Sequence, residues 1–165
     1  MWIENIAAMD IPNAWHHNAG PNSMLIQISE SGHFPKALYP FKEIHQFLFS
    51  DVVEGDDNWE ELGIQESQAK EIAALLVKAK ENRTNVVVNC HAGICRSGAV
   101  VEVGVMMGFD DTGKHRQPNL LVKHRLLKEL GMAYDPNEPP DLESWRNYHF
   151  MDQIDDDENR KDGDI

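Results

Sequence analysis

Apolar residues along this chain fall either into short runs or at helical spacing, the pattern of strands connected by helices. Short apolar runs at residues 24–28 and 45–50 predict two strands, and the β-branched run at residues 86–88 predicts a third. Apolar positions recur at helical spacing from residue 66 to about residue 82, which predicts an amphipathic helix covering one face of a sheet. Residues 97–108 are apolar nearly all round and predict a buried helix.

The remaining segments are predicted to be connections and two further helices. Residues 1–23 mix apolar and polar positions without a strand pattern, and the acidic residues 54–61 predict a loop that is a candidate mobile flap. Residues 118–131 predict a helix that begins at a Pro-Asn pair and ends at a glycine. The polar segment 110–117 either adds positive charge to the rim of a site or is a plain surface turn. A last short helix is predicted to begin at Asp141.

Composition narrows the classes of function. A chain of 165 residues is sized for one compact domain. The net charge of −13 argues against a nucleic-acid partner, because phosphate backbones are bound by basic surfaces. The 2 cysteines lie in one short segment, so no disulfide framework is predicted. No long apolar run or basic leader occurs, and we therefore expect a soluble cytoplasmic protein without membrane contact.

The candidate chemistry lies where the third predicted strand passes through a short loop into the buried helix. In such a connection, loop N–H groups and the positive end of the helix dipole converge and form an anion site. Cys90 ends the strand at this point, and a thiol held there beside a guanidinium is favoured as the thiolate nucleophile. Arg96 opens the helix, and its planar fork of donors suits two oxygens of a phosphoryl group.

Three neighbours of Cys90 complete the candidate site. Gly93 suits a loop that turns sharply and approaches a ligand closely. Ser97 follows the arginine and can donate a hydrogen bond to the Cys90 sulfur, helping it to leave. Cys95 is either a resolving thiol after oxidation of Cys90 or a small side chain packed under the loop.

The motif Cys-x5-Arg-Ser from Cys90 to Ser97 resembles the active-site signature of cysteine-dependent protein phosphatases, closest to the dual-specificity branch. The resemblance covers roughly residues 24–150 and implies an α/β fold, with a mainly parallel central sheet flanked by helices. Residues 1–150 are therefore expected to form one phosphatase-like catalytic domain, and residues 151–165 an acidic, mobile tail. One departure is Asn89, which stands where the family usually has a histidine.

The resemblance implies a two-step phosphoryl transfer that needs neither a metal nor another cofactor. Cys90 would form a phosphocysteine while an acid protonates the leaving oxygen, and the same group would then activate water. The phosphate would be bound by the whole loop: His91, Ala92, Gly93, Ile94, Cys95 and Arg96. Phosphoinositide-directed branches tend to have lysine in this loop, and this chain has none there. The expected substrate is thus phosphotyrosine on proteins or peptides, with phosphoserine and phosphothreonine admitted by a shallow pocket.

The general acid has three candidates upstream of the signature, Asp51, Asp56 and Asp57. In the family this acid lies just past the end of a strand that neighbours the nucleophile's strand. Asp51 directly follows the predicted strand 45–50 and is preferred, whereas the other two lie further out among acidic residues.

Two other classes of function remain open. A rhodanese-like sulfurtransferase also presents a cysteine at an anion loop, although its loop is usually one residue shorter. A catalytically silent phosphate-binding module is the second alternative, because Asn89 brings no positive charge to the nucleophile. The pair His16-His17 lacks the spaced partners that a zinc site needs, so no metal site is predicted there.

Overall fold

The computed structural model describes residues 1–13 and 17–140. Its strands are β1 (Trp2–Ala7), β2 (Ser23–Ser29), β3 (Glu43–Leu48), β4 (Asn85–Cys90) and β5 (Asp110–Asp111). Its helices are α1 (Trp59–Leu62), α2 (Glu66–Glu81), α3 (Arg96–Met107) and α4 (Leu120–Glu129). The predicted last helix, the acidic tail and the side chains of His16 and His17 lie outside the described residues.

The strands form one parallel sheet in the order β3-β2-β4-β1-β5. β4 is the central strand, and its last residue, Cys90, pairs with Ala7 at the end of β1. Because all the strands run the same way, their carboxyl ends meet at one edge of the sheet, where ligands of open α/β sheets usually bind. The predicted α/β fold with a parallel central sheet is confirmed.

The main core lies between one face of the sheet and helices α2, α3 and α4. The apolar positions predicted at helical spacing on α2 are buried there, and a capping box formed by Gln65 and Gln68 begins this helix. The first nine residues of α3 are buried apart from Glu102, as expected for a helix that lies between the sheet and α4. The opposite face carries a smaller cluster that includes Leu25, Phe41 and Val87.

Four details of the sequence analysis were wrong, the last being that the segment 110–117, predicted as a polar connection, begins with the short strand β5. The segment 1–23 contains β1, because Ile3 and Ile6 are both buried although Glu4 and Asn5 break the strand alternation between them. The acidic stretch predicted as a loop contains the single-turn helix α1. The third difference is the end of β3 at Leu48, which leaves two residues between the strand and Asp51.

The described helices include none that is both long enough and apolar enough to cross a membrane.

Candidate active site

The signature loop, residues 91–95, joins the end of β4 to the start of α3 at the carboxyl edge of the sheet. Cys90 is the last residue of β4 and only 2% exposed, and Arg96 is the first residue of α3 and 4% exposed. The N-terminus of a helix of this length carries a partial positive charge. Cys90, the candidate nucleophile, is therefore buried where the signature loop leads into the positive end of α3.

Neighbouring segments anchor the backbone of the signature loop by donating hydrogen bonds to its carbonyl groups. Each of these carbonyls accepts a hydrogen bond from a neighbouring segment: His91 O from Ala8 N (3.1 Å), Gly93 O from Asn5 Nδ2 (2.7 Å), Ile94 O from Gln117 N (3.1 Å) and Cys95 O from Asn119 N (2.9 Å). In a trans peptide the following N–H points away from the carbonyl. The anchors therefore turn four N–H groups away from the neighbouring segments: those of Ala92, Ile94, Cys95 and Arg96. We call these groups the cradle.

Gly93 allows the loop to pack directly on β1. Its φ is +73°, and a Cβ at this position would collide with the backbone of Ile6 and Ala7. Asn5 also donates to His115 O (2.9 Å), so one buried side chain joins β1, the loop and the segment before α4. The sequence analysis predicted a sharp turn and a close approach to a ligand at Gly93; the structure shows the turn and a close approach to the backbone of β1.

Two polar residues adjoin Cys90: Ser97 contacts its sulfur, and Asn89 precedes it in the chain. Ser97 Oγ lies 3.1 Å from Cys90 Sγ and is fully buried, as a residue that stabilises the sulfur would be. Asn89, the residue before Cys90, is buried, and its Oδ1 accepts no hydrogen bond within the described part of the chain. Its carboxamide carries no positive charge.

Arg96 is held by the ends of two strands. Its Nη1 donates to Phe49 O (2.9 Å) just beyond β3, and its Nη2 lies 3.9 Å from Glu30 Oε1 just beyond β2. A guanidinium has five N–H donors, so these contacts leave donors for a ligand. The sequence analysis did not predict Glu30 as a residue near the site. Its position just past the apolar run 24–28, at the end of a strand, was a signal for it.

The three candidate acids occupy different places. Asn119 Nδ2 donates to Asp51 Oδ1 (2.8 Å), and Asp51 lines a groove of about 690 Å³ together with Cys95 of the signature loop. Asp56 lies further along the same groove, but its carboxylate accepts from Val53 N (2.9 Å) within its own loop. Asp57 is exposed beside it. Of the three, Asp51 is therefore the one whose carboxylate is held next to the signature loop.

Comparison of the sequence with known families identifies the family to which the chain belongs. The sequence model of the family described as protein-tyrosine phosphatase matches residues 41–126, just over half of the 165 residues. The chain belongs to the protein-tyrosine phosphatase family. The match includes Asp51 and the whole signature from Cys90 to Ser97, and it confirms the expected family.

Several solved structures of phosphatases are similar to this one. Human DUSP28 has 16% identity and a TM-score of 0.46, with 93% of this chain and 94% of that chain covered. OH1 from the Orf virus, described as a tyrosine phosphatase with triple substrate specificity, has 20% identity and a TM-score of 0.44. That match covers 64% of this chain, which spans 56% of the length of OH1. Tk-PTP in its active form has 14% identity and a TM-score of 0.43, with 88% of each chain covered. No curated protein matches by sequence.

The second cysteine of this phosphatase loop has an unusual environment. The pKa of the Cys95 thiol is raised to about 12, mainly by burial and also by the negative charges of Asp51 and Cys90. At neutral pH, Cys95 is therefore a protonated thiol, which is a poor nucleophile towards an oxidised sulfur.

We predict that mild peroxide at neutral pH takes Cys90 to the sulfinic acid instead of joining it to Cys95. A sulfenic acid is trapped as a disulfide only when a thiolate attacks it, and Cys95 is protonated under these conditions. Mass spectrometry of the peptide containing both cysteines should show a gain of two oxygens on Cys90. A Cys95→Ser variant should oxidise in the same way. Loss of two hydrogens from the wild-type peptide would contradict the prediction.

Proposed function

We propose that this protein hydrolyses phosphate monoesters through a phosphocysteine intermediate, with phosphotyrosine on proteins or peptides as the preferred substrate. The cradle carries the proposal: in the loop that follows Cys90, anchored carbonyls keep its N–H groups turned away from the neighbouring segments before any ligand arrives. Donors fixed in advance stabilise a developing negative charge without the cost of reorganisation. A phosphoryl group matches this set of donors, since it has three equatorial oxygens over which the charge spreads.

In the first step, Cys90 Sγ attacks phosphorus opposite the leaving oxygen. The S–P bond forms as the P–O bond to the substrate breaks, and Asp51 gives its proton to the departing oxygen. Arg96 and the cradle bind the equatorial oxygens during this transfer. The hydrogen bond between Arg96 and Phe49 O supports this role, because it fixes the guanidinium at the edge of the sheet.

In the second step, the Asp51 carboxylate takes a proton from water as the water oxygen attacks phosphorus. The S–P bond breaks, inorganic phosphate forms, and Cys90 leaves as the thiolate. Ser97 Oγ lies 3.1 Å from Cys90 Sγ and can donate a hydrogen bond to the sulfur, which stabilises the thiolate as it leaves. Both steps therefore use one acid–base group and one nucleophile.

The preference for phosphotyrosine is supported by the depth of the sulfur. Cys90 is 2% exposed, so the phosphorus must reach a recessed atom. The phenyl ring of phosphotyrosine places its phosphate further from the peptide backbone than a seryl or threonyl ester does. The absence of lysine from the signature loop agrees with a protein substrate. A reducing cytoplasmic location, which would keep Cys90 and Cys95 as thiols, is part of the same proposal.

The nucleophile and the cation are tested by substitution. Cys90→Ser and Arg96→Ala should each abolish turnover of para-nitrophenyl phosphate, whereas Cys90→Ser should still bind phosphate esters because the cradle is intact. Arg96→Lys, the matched control, keeps the charge but loses the fork and should remain strongly impaired. Turnover by Cys90→Ser above a tenth of the wild-type rate would contradict the assignment. Turnover of thiosulfate instead of phosphate esters would favour a sulfurtransferase, and phosphate binding without any wild-type turnover would favour a silent module.

The substrate is tested with one peptide sequence phosphorylated on tyrosine, serine or threonine. We expect the highest kcat/KM for the phosphotyrosine peptide, because its ester reaches the recessed sulfur. Release of inorganic phosphate measures all three rates. Cys90→Ser serves as the blank for each peptide, and a strong preference for an inositol phosphate would overturn the proposed substrate class.

The general acid is tested with two leaving groups. Asp51→Asn should lower kcat for phenyl phosphate by about 10²–10⁴-fold, because a poor leaving group needs the proton. Turnover of para-nitrophenyl phosphate should change much less, and the basic limb of the pH–rate profile should disappear. Asp56→Asn and Asp57→Asn are the matched controls. If either control reproduces this pattern and Asp51→Asn does not, the acid lies in the acidic loop.

A further inference from the structure

Asn119 joins three segments of the candidate site. Its side chain is buried with 5% exposure, and its Oδ1 accepts from Val122 N (3.0 Å), which caps the start of α4. Its Nδ2 donates both to Asp51 Oδ1 (2.8 Å) and to Val52 O (3.0 Å). Its own N–H donates to Cys95 O in the signature loop (2.9 Å). One residue thus fixes the start of a helix, the loop that carries Asp51 and the loop that carries the cradle.

The orientation of the Asn119 amide follows from its other partners. The N–H of Val122 can only donate, and the carbonyl of Val52 can only accept. The amide oxygen must therefore face Val122 and the amide NH2 must face Val52, which places the second N–H on Asp51. The contact with Asp51 is consequently a hydrogen bond donated to the carboxyl group.

We propose that Asn119 is a positioning residue for proton transfer, which holds Asp51 beside the signature loop and selects the oxygen that carries the proton. This inference rests on the proposed function of Asp51. A protonated carboxyl group has one oxygen that accepts and one that donates. Because the Asn119 amide can only donate to the oxygen it contacts, that oxygen stays the acceptor, and the proton is left on the other oxygen.

The helix cap and the link to the backbone of Val52 are structural contacts, and the contact with Asp51 is made in addition to them. The cap of α4 needs the amide oxygen, whereas the contact with Asp51 needs the amide nitrogen. Asp51 is exposed, and the Cys95 thiol also hydrogen-bonds to its side chain. Because a thiol is only a weak donor, the carboxyl group would sample several rotamers without the amide. The hydrogen bond from a buried amide restricts it to one of them. The two roles can therefore be separated by a side chain that caps the helix but cannot donate to Asp51.

Asn119→Ser makes this separation, because serine is as good a helix cap as asparagine but lacks the amide donor. It should lower kcat for phenyl phosphate by up to about 10²-fold, the scale of a misplaced catalytic group. Turnover of para-nitrophenyl phosphate should stay nearly unchanged. In the Asp51→Asn background the serine substitution should cause no further loss, since no proton remains to be positioned.

Asn85→Ser is the matched control. Asn85 is another amide that joins separate segments, through Ala19 O (3.0 Å) and Trp2 N (2.9 Å), but it lies at the opposite end of β4. This variant should affect the two substrates equally. A decrease in both rates by the same factor in Asn119→Ser, or a further loss in the Asp51→Asn background, would overturn the inference.

Asn119→Asp provides a second readout if the serine variant does not fold. Aspartate keeps the helix cap, but it places a carboxylate against Asp51 in place of a donor. Two carboxylates that share a site hold a proton more tightly. The basic limb of the pH–rate profile for phenyl phosphate should therefore move to higher pH, and an unchanged profile would overturn the inference. No wild-type turnover of either aryl phosphate would overturn the proposed function and this inference together, whereas turnover with the wrong pattern would overturn the inference alone.

Discussion

The site depends on one constraint, the outward anchoring of the signature-loop carbonyls. A short loop that turns its N–H groups to one side would normally relax to pair them. Here β1 and the segment before α4 donate to the carbonyls and prevent that relaxation. In the proposed function, the fold thereby fixes the anion site before a ligand binds, so that its donors are already aligned.

This constraint explains how a strongly acidic chain can bind an anionic substrate. The net charge is −13, and Glu30 lies close to Arg96. At physiological ionic strength, however, charges further away than a Debye length of about 8 Å are largely screened. In the proposed function, binding depends on the nearest groups: the cradle, the start of α3 and the guanidinium of Arg96 favour an anion, whereas the carboxylates of Glu30 and Asp51 oppose it.

The sequence predicted the fold class, α2, β4, α3, α4 and the position of the signature, because their periodicity and turn residues are local signals. It did not predict β1. Asn5 is a buried polar residue in that strand, and it breaks the apolar pattern because it holds Gly93 and His115 in place. The contact of Asn119 with Asp51 was also missed, since a helix-capping asparagine gives no sign of a partner 68 positions earlier in the chain. The local rules fail where a residue serves the site instead of its own element.

The segment before α4 contacts both the signature loop and the proposed general acid. Gln117 and Asn119 donate to the signature loop, and the side chain of Asn119 donates to Asp51. The distance between the cradle and the proposed acid is therefore set through one rigid connection that continues into α4. If each group were held by its own loop, their independent motions would add, and the acid would reach the leaving oxygen less often. In the proposed mechanism, a buried asparagine at the start of a packed helix couples the two positions, which is the geometric condition for proton transfer to keep pace with bond cleavage.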